Sequence, residues 1–169
     1  LILTSADTLR RYSQYNETSY AQFAKADAAR IGVPRPMLEA DAKTLKLSLR
    51  PGAGADAFSF EGIGRFDAAS GGYGGTVSVL DPTWQGIEVV GAGKSATADF
   101  AGITLKADTL NALGASRLVV GGMTVVEYGQ SGNFINLASG ANSANSTVTL
   151  REGATLAAPE VFLVSGTGA

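Results

Sequence analysis

Apolar and polar residues alternate along most of this chain, in the short runs that β-strands show. The alternation starts near residue 37 and recurs in pairs from Val77/Val79 through to Val161/Leu163. Tracts rich in Gly, Ser and Asn separate the runs, as expected for turns. Because a period of two puts alternate side chains on one face of a strand, the pattern predicts a β body with strands of about four to six residues.

The alternation changes phase once, across Lys43 and Thr44. Apolar residues occupy even positions before that point and odd positions after it: Leu38, Ala40 and Ala42, then Leu45, Leu47 and Leu49. A straight strand with this sequence would turn its apolar face to water halfway along. We therefore expect a corner or a β-bulge at Lys43–Thr44.

One segment has the period of a helix instead. Ser19 and Gln22 fit a capping box, because the Ser hydroxyl can accept the Gln22 amide while the Gln side chain reaches back. Gly32 suits the left-handed residue that ends a helix, and Pro34 prevents continuation. These signals predict a helix over 19–31. Its apolar residues follow at helical spacing: Tyr20, Phe23, Ala24, Ala28 and Ile31.

Two architectures are compatible with this series of predicted strands. Turns are irregularly spaced, and the Asn-Gly or Asp-Gly dipeptides of tight hairpins are missing. Segments 146–150 and 159–163 resemble successive rungs of a stack. We therefore predict an all-β fold, a parallel β-helix with one short N-terminal α-helix, and keep an antiparallel β-sandwich as the alternative.

The amino-acid composition excludes several kinds of catalytic and metal site. The chain contains no Cys and no His, which excludes disulfides, Cys/His zinc sites, cysteine nucleophiles and Ser-His-Asp triads. The formal charge is only −2 and the pI is near 5.1, so the chain offers no general footprint for nucleic acid. These absences favour a structural or binding protein over an enzyme, and we predict no cofactor.

Charge and glycine content divide the chain near residue 50. Residues 1–50 contain one glycine, eight basic and five acidic side chains, so their net charge is +3. Residues 51–169 contain 21 glycines, five basic and ten acidic side chains, for a net charge of −5. We predict an N-terminal segment at 1–50, with the helix, the first strands and a capping role, and a Gly-rich β-helix body at 51–169.

Three segments resemble bacterial filamentous-haemagglutinin-like exoproteins: YSQYNETSYA at 12–21, LGASRLVVGG at 113–122 and GATLAAPEVFLV at 153–164. The resemblance implies a right-handed parallel β-helix shaft from a very long surface protein, exported by two-partner secretion through an outer-membrane barrel. It also implies an extracellular location on the bacterial cell surface and a role in cell adhesion. Nothing here matches the secretion domain of that family, so we expect an internal or C-terminal fragment.

Motifs for other chemistry are weak. Gly91–Ser95 resembles the end of a phosphate-binding loop. However, Glu88 occupies the position of the first Gly of that motif, and no helix pattern follows. A β-turn with an exposed Lys94 is therefore the better interpretation. Acid pairs such as Asp81 and Glu88 do not visibly converge as glycosidase carboxylates. Asp81-Pro82 is the start of a turn in this interpretation, and the other scattered acids are expected to be solvated. No Gly-Gly-x-Gly-x-Asp repeat supports a calcium site.

Aromatic residues in turns are the leading candidates for contact with a ligand. Trp84 is the only Trp and follows the turn start Asp81-Pro82, and Tyr73 lies within Gly71–Gly75. An exposed aromatic ring can stack on sugars or anchor an interface. We expect the 139–145 loop to be the most mobile.

The sequence therefore predicts a noncatalytic extracellular surface module of an adhesin-like or filamentous exoprotein, without a metal. Its expected partners are neighbouring segments or copies of the same fibre, and a host or bacterial surface receptor or glycan. The alternative is a carbohydrate-active or carbohydrate-binding β-helix, which needs carboxylates or basic residues that converge in a cleft.

Overall fold

The structure is a computed structural model that describes residues 4–8, 18–52, 58–125, 136–139 and 147–166. Residues 12–17 of the first family-like segment, and 140–145 of the 139–145 loop, lie outside these ranges. The described residues form two compact units, one up to Glu39 and one from Ala40 onward. Among the described helices, none has the length and apolar character of a membrane span.

The first unit contains helix α1, Tyr20–Ile31, which confirms the helix that the capping signals predict. The Gln22 amide donates to Ser19 Oγ at 3.2 Å, and the Ser19 amide donates to the Gln22 side-chain oxygen at 3.4 Å. Gly32 ends the helix in the left-handed region, at φ 71° and ψ 33°, and its N–H donates to the Ala28 carbonyl. Both helix ends are therefore set by residues within or next to the helix.

The buried face of α1 is narrower than its apolar spacing indicates. Ala24 and Ala28 are buried, whereas Tyr20, Phe23 and Ile31 are exposed. The buried residues of the predicted stripe are thus its small ones, and its large residues lie at the surface.

The second unit contains the strands, together with a short helix α2, Ala107–Ala112. In chain order the described strands are β1 (Thr44–Ser48), β2 (Thr76–Leu80), β3 (Ile87–Val90), β4 (Ile103–Lys106), β5 (Arg117–Val120), β6 (Gly122–Val125), β7 (Asn136–Ser139), β8 (Val148–Leu150) and β9 (Glu160–Leu163).

Two parallel sheets form the framework of this unit. Sheet A has the strand order β1-β2-β5-β9, and sheet B has the order β4-β3-β8. Every strand pair in both sheets is parallel. Strands β6 and β7 pair antiparallel in a separate ribbon, and β6 also lies against β2.

Strand β1 begins at Thr44, where the apolar alternation changes phase. Ladder pairing starts there with Thr44 opposite Thr76. Just before the strand, the Ala42 amide donates to the Tyr73 carbonyl at 2.9 Å. The change of phase thus coincides with the start of a strand that contains only the odd-numbered apolar residues, and residues 37–43 before it form no strand.

One buried apolar cluster unites both sheets and α2. In sheet A, Val77 lies opposite Leu118, and in sheet B, Ile87 lies opposite Ile103, so apolar residues form columns that cross the strands. Burial of such columns is the main favourable term in folding. The cluster contains Val77, Val79, Ile87, Val89, Ile103, Leu105, Ala107, Leu110, Leu113, Ala115, Leu118 and Val120.

The prediction of an all-β, right-handed parallel β-helix with one N-terminal helix is wrong. A second helix, α2, joins β4 to β5 and buries Ala107 and Leu110. Strand β3 lies between β4 and β8, so the chain adds strands first on one side of β3 and later on the other. A regular coil would add every strand on the same side. The fold is a mixed arrangement of helices and parallel sheets.

The alternative prediction, an antiparallel β-sandwich, is wrong as well. Neither framework sheet contains an antiparallel pair in the described residues, and the antiparallel pairing is confined to the ribbon of β6 and β7. Parallel neighbours need long crossover connections in place of tight hairpins. That requirement agrees with the absence of Asn-Gly and Asp-Gly turns from the sequence.

Candidate functional site

A turn at residues 81–86 joins β2 of sheet A to β3 of sheet B. Asp81 is buried at the start of this turn. One of its carboxylate oxygens accepts the Thr83 amide at 2.8 Å and the Thr83 hydroxyl at 2.6 Å, and the other accepts the Gly86 amide at 2.7 Å. Such Asx-type bonding fixes the backbone of a turn. The carboxylate therefore holds both halves of the turn from the inside.

Trp84 lies at the tip of this turn in an uncommon backbone conformation. Its φ is +62°, in the left-handed region that bulky residues rarely adopt, and its residue surface is 47% exposed. A side chain held in such a conformation costs on the order of 1–3 kcal/mol, which the surrounding structure must offset. The bonds to Asp81 provide that support, so the indole is presented to solvent on a fixed backbone.

Tyr73 is the other contact candidate, and it is also exposed, at 66%. Its amide donates to a carboxylate oxygen of Asp41 at 2.7 Å, and its carbonyl accepts the Ala42 amide. Tyr73 is thus held through its own backbone, while most of the residue is exposed.

The structure does not bring Tyr73 and Trp84 together. Tyr73 precedes β2 and Trp84 follows it, so the five residues of that strand separate them. At about 3.3 Å per residue, the strand alone spans about 16 Å. The two rings therefore belong to different ends of β2. Each lies beside a buried carboxylate that accepts backbone amides, Asp41 at Tyr73 and Asp81 in the Trp84 turn.

A second polar site lies inside sheet B, around Glu88. This strand residue is fully buried. Its carboxylate accepts the Thr97 amide at 2.9 Å and hydroxyl at 2.7 Å, and the Thr104 hydroxyl at 2.7 Å. Arg151 donates to it from Nε at 2.7 Å, and the Arg151 guanidinium lies 5.9 Å from the centre of the Phe100 ring.

Burial alone would raise the pKa of Glu88, because a charged carboxylate loses its hydration. The hydrogen bonds from Thr97 and Thr104 and the ion pair with Arg151 outweigh that effect, and lower the pKa from 4.5 to about 2. Glu88 is therefore ionised at every physiological pH.

This arrangement suits a structural role and not acid–base catalysis. A general acid or base near neutral pH needs a pKa near that pH and access to the reacting atom. Glu88 has neither, since its oxygens are engaged by three partners and no part of it reaches the surface. Asp81 is likewise occupied by its own turn.

The prediction that Asp81 starts a turn is confirmed, whereas the expectation that Glu88 is a solvated acid is wrong. Both are buried, and each has a separate set of donors. One signal in the sequence could have identified Glu88. It stands in the run Ile87-Glu88-Val89-Val90, where a charge between β-branched residues indicates a buried strand position with a partner elsewhere.

The segment that resembles a phosphate-binding loop forms a turn. The Lys94 amide donates to the Gly91 carbonyl at 3.1 Å, and Ala92 to Ser95 are exposed. No helix begins after this turn, in contrast to a phosphate-binding loop. The interpretation as a β-turn with an exposed Lys94 is confirmed.

Across the described ranges, no three carboxylate side chains come together as metal ligands. Comparison with known proteins adds no further assignment to this geometry. No protein-family model, no curated protein and no solved structure matches the chain.

Proposed function

We propose that this chain is a noncatalytic extracellular module of a bacterial surface protein, an adhesin-like or filamentous exoprotein, and that it works by contact. The observation that carries the proposal is the Trp84 turn. There an exposed indole lies on a backbone that the buried Asp81 fixes from inside. A rigid aromatic ring loses little entropy on binding and can stack on a sugar or fill a pocket in a receptor.

The buried carboxylates support the noncatalytic part of this proposal. Hydrolysis of a glycosidic bond needs two carboxyl groups that flank the substrate. Asp81 and Glu88, the acids nearest to the turn in sequence, are each committed to internal donors. The resemblance to filamentous-haemagglutinin-like exoproteins supports the location, with export of the parent chain through an outer-membrane barrel.

A single exposed ring gives weak binding, so such a module gains strength when many copies act together along a fibre. The ligand class that fits best is a surface glycan of a host or bacterial cell. Sugar rings present apolar faces that match an indole, and the chain's slight negative charge does not favour polyanions.

The test is a panel of immobilised host and bacterial surface polysaccharides, scored for both retention and cleavage. We expect retention of at least one glycan, no cleavage, and a loss of about tenfold or more in affinity for Trp84→Ala, which corresponds to about 1.4 kcal/mol. Ile63→Ala is the matched control, because Ile63 is 84% exposed and belongs to a different loop.

Two results would overturn the proposal. One is turnover of any glycan that a single carboxylate substitution abolishes, which would establish an enzyme. The other is equal retention by the wild type and Trp84→Ala, which would remove the turn as the contact site.

A further inference from the structure

Sheet A ends in two strands whose aliphatic side chains reach solvent. Among the described strands, β1 pairs only with β2, and β9 pairs only with β5. Leu45 on β1 is 37% exposed, while Val161 and Leu163 on β9 are 36% and 46% exposed. These residues continue columns that are buried in the middle of the sheet: Leu45–Val77–Leu118–Val161 and Leu47–Val79–Val120–Leu163.

The outer edge of β9 presents backbone N–H and C=O groups that are not directed toward β5. The Glu160 amide donates to the Ser116 carbonyl, and the Val164 amide donates to the Val120 carbonyl, so these residues turn their polar groups toward β5. Since successive residues of a strand alternate in direction, Val161 and Leu163 turn theirs outward. An exposed strand edge of this kind is a template for another strand.

The two edges match each other when the observed register is extended by one strand. In that register Val161 lies opposite Leu45 of a second copy, and Leu163 lies opposite its Leu47. Both apolar columns would therefore continue without a break across the junction, as they do between β2 and β5.

The other face of the two edges matches as well. Phe162 would lie opposite Lys46 of the second copy, diagonally from Glu160. Arg117 already makes this combination within the chain, with Nε bonded to Glu160 and its guanidinium 5.9 Å from the centre of the Phe162 ring. A cation beside an aromatic ring and a carboxylate is favourable on both counts.

Charges near the two edges also differ in sign. Lys46 in β1 and Lys43 and Arg50 beside it are exposed. Of the two acids that precede β1, Asp41 is buried and Glu39 is exposed. On β9 the exposed charged residue is Glu160, which forms an ion pair with Arg117 of β5. The basic side chains at β1 favour association with the β9 edge, which contains Glu160, and disfavour association of two β1 edges.

We propose that copies of this chain associate head to tail, with β9 of one copy pairing in parallel with β1 of the next. The proposal deepens the surface role given above and rests on it. The junction involves β1 and not β4, the outer strand of sheet B, because Ile103, Thr104 and Leu105 of β4 are buried. Since the two edges are different surfaces, each addition leaves a new β9 edge free, and the assembly is an open fibre and not a closed dimer.

The test uses variants in which one edge at a time is blocked by a charge. Leu163→Lys blocks β9 and Leu45→Lys blocks β1, and both sites are exposed, so both variants are expected to fold. Sedimentation of the wild type should show a mean mass that rises with protein concentration. Each variant alone should stay monomeric. An equimolar mixture should form a dimer and nothing larger, because β9 of Leu45→Lys can pair with β1 of Leu163→Lys and the other two edges are blocked.

Ile63→Lys is the control, since it adds the same charge at an exposed aliphatic residue outside β1 and β9, and it should assemble as the wild type does. Val161→Lys is a second block of β9, with the same expected result as Leu163→Lys. Circular dichroism establishes that each variant is folded before its mass is measured.

A monomeric wild type at all concentrations would overturn the proposal. So would dimers of Leu45→Lys alone, because they would mean that two β9 edges pair with each other. The glycan panel separates this result from the proposed function. A double variant, Leu45→Lys with Leu163→Lys, keeps the Trp84 turn, and its retention on glycans reports on the contact role without assembly.

Discussion

The middle and the edges of sheet A have the same alternating sequence but different surroundings. Every residue of β2 is buried, whereas β1 at the edge has only one partly buried residue, Leu47. In β9, at the other edge, only Phe162 is partly buried. An apolar residue in the middle has a strand on either side of it, and one at the edge has a strand on one side only. Position in the sheet, and not the sequence pattern, decides how much of each side chain is removed from water.

The same comparison explains where a buried charge is tolerated. Glu88 is in β3, the middle strand of sheet B, with β4 on one side and β8 on the other. Thr104 comes from β4, and Arg151 follows β8 directly. A carboxylate in the interior is tolerated only when donors surround it, and neighbouring strands on both sides provide them.

The largest expected effect comes from removing this charge. Glu88→Ala should lower the free energy of unfolding by about 3–5 kcal/mol, because it leaves Arg151 and two threonines without their acceptor and opens a cavity. Urea denaturation measures the change. Glu152→Ala, at an exposed acid, is the control and should stay within about 0.5 kcal/mol of the wild type. A similar small change for Glu88→Ala would contradict the comparison of interior and surface.

Lowering the pH should remove the charge of Glu88 without removing any of its atoms, so no cavity forms. Because the pKa of Glu88 is about 2 in the folded state against 4.5 as its ordinary value, its contribution is complete above pH 4.5 and is lost as the pH falls toward 2. The difference corresponds to about 3 kcal/mol at about 1.4 kcal/mol per pKa unit.

The measurement is the free energy of unfolding between pH 6 and pH 2. The fall should be shallower in Glu88→Gln than in the wild type, and unchanged in Glu152→Gln. Equal slopes in all three proteins would mean that Glu88 is not the group that titrates.

A matched pair of leucines tests the middle of the sheet against its edge. Leu118 and Leu45 belong to the same column, but Leu118 is 1% exposed and Leu45 is 37% exposed. Leu118→Ala should cost about 3 kcal/mol and Leu45→Ala about 1 kcal/mol or less, since the edge residue loses less burial and leaves no closed cavity. Equal costs in dilute monomer, from urea denaturation, would show that the edge is as well packed as the middle.

The smallest expected effect is in α1, which depends on its own residues more than on neighbouring strands. Gly32→Ala should cost about 1 kcal/mol through left-handed strain alone, because a Cβ there meets no atom within 4 Å. Gly32→Asn, which tolerates that conformation better, should recover part of the loss. Amide hydrogen exchange across α1 measures both, and a larger cost for Asn than for Ala would exclude strain as the cause.

Helix α1 was predictable because its determinants are close together in the sequence. The Ser19 and Gln22 side chains bond across three residues, and Gly32 directly follows the last turn. Helix α2 gave a weaker signal, the spacing of three between Ala107, Leu110 and Leu113, and it directly continues the alternating residues of β4. With six residues it is too short for a clear helical period, so its formation depends on burial against the core.

The Glu88 site was not predictable in the same way. Its partners lie 9, 16 and 63 residues away along the chain, at Thr97, Thr104 and Arg151. No local pattern relates such positions, because only the pairing of β3 with β4 and β8 brings them together. The acid was visible in the strand, but its donors were not.

By itself the sequence determined the properties that depend on neighbouring residues. These are the limits of α1, the start of β1 at Thr44, the turn at Gly91–Lys94 and the absence of cysteine and histidine chemistry. The tertiary structure alone decided the order β4-β3-β8, the burial of Glu88, and which alternating runs lie in the middle of a sheet or at its edge. The physical reason is that a period of two defines the two faces of a strand but not the strands on either side of it, and those neighbours arise from contacts between distant parts of the chain.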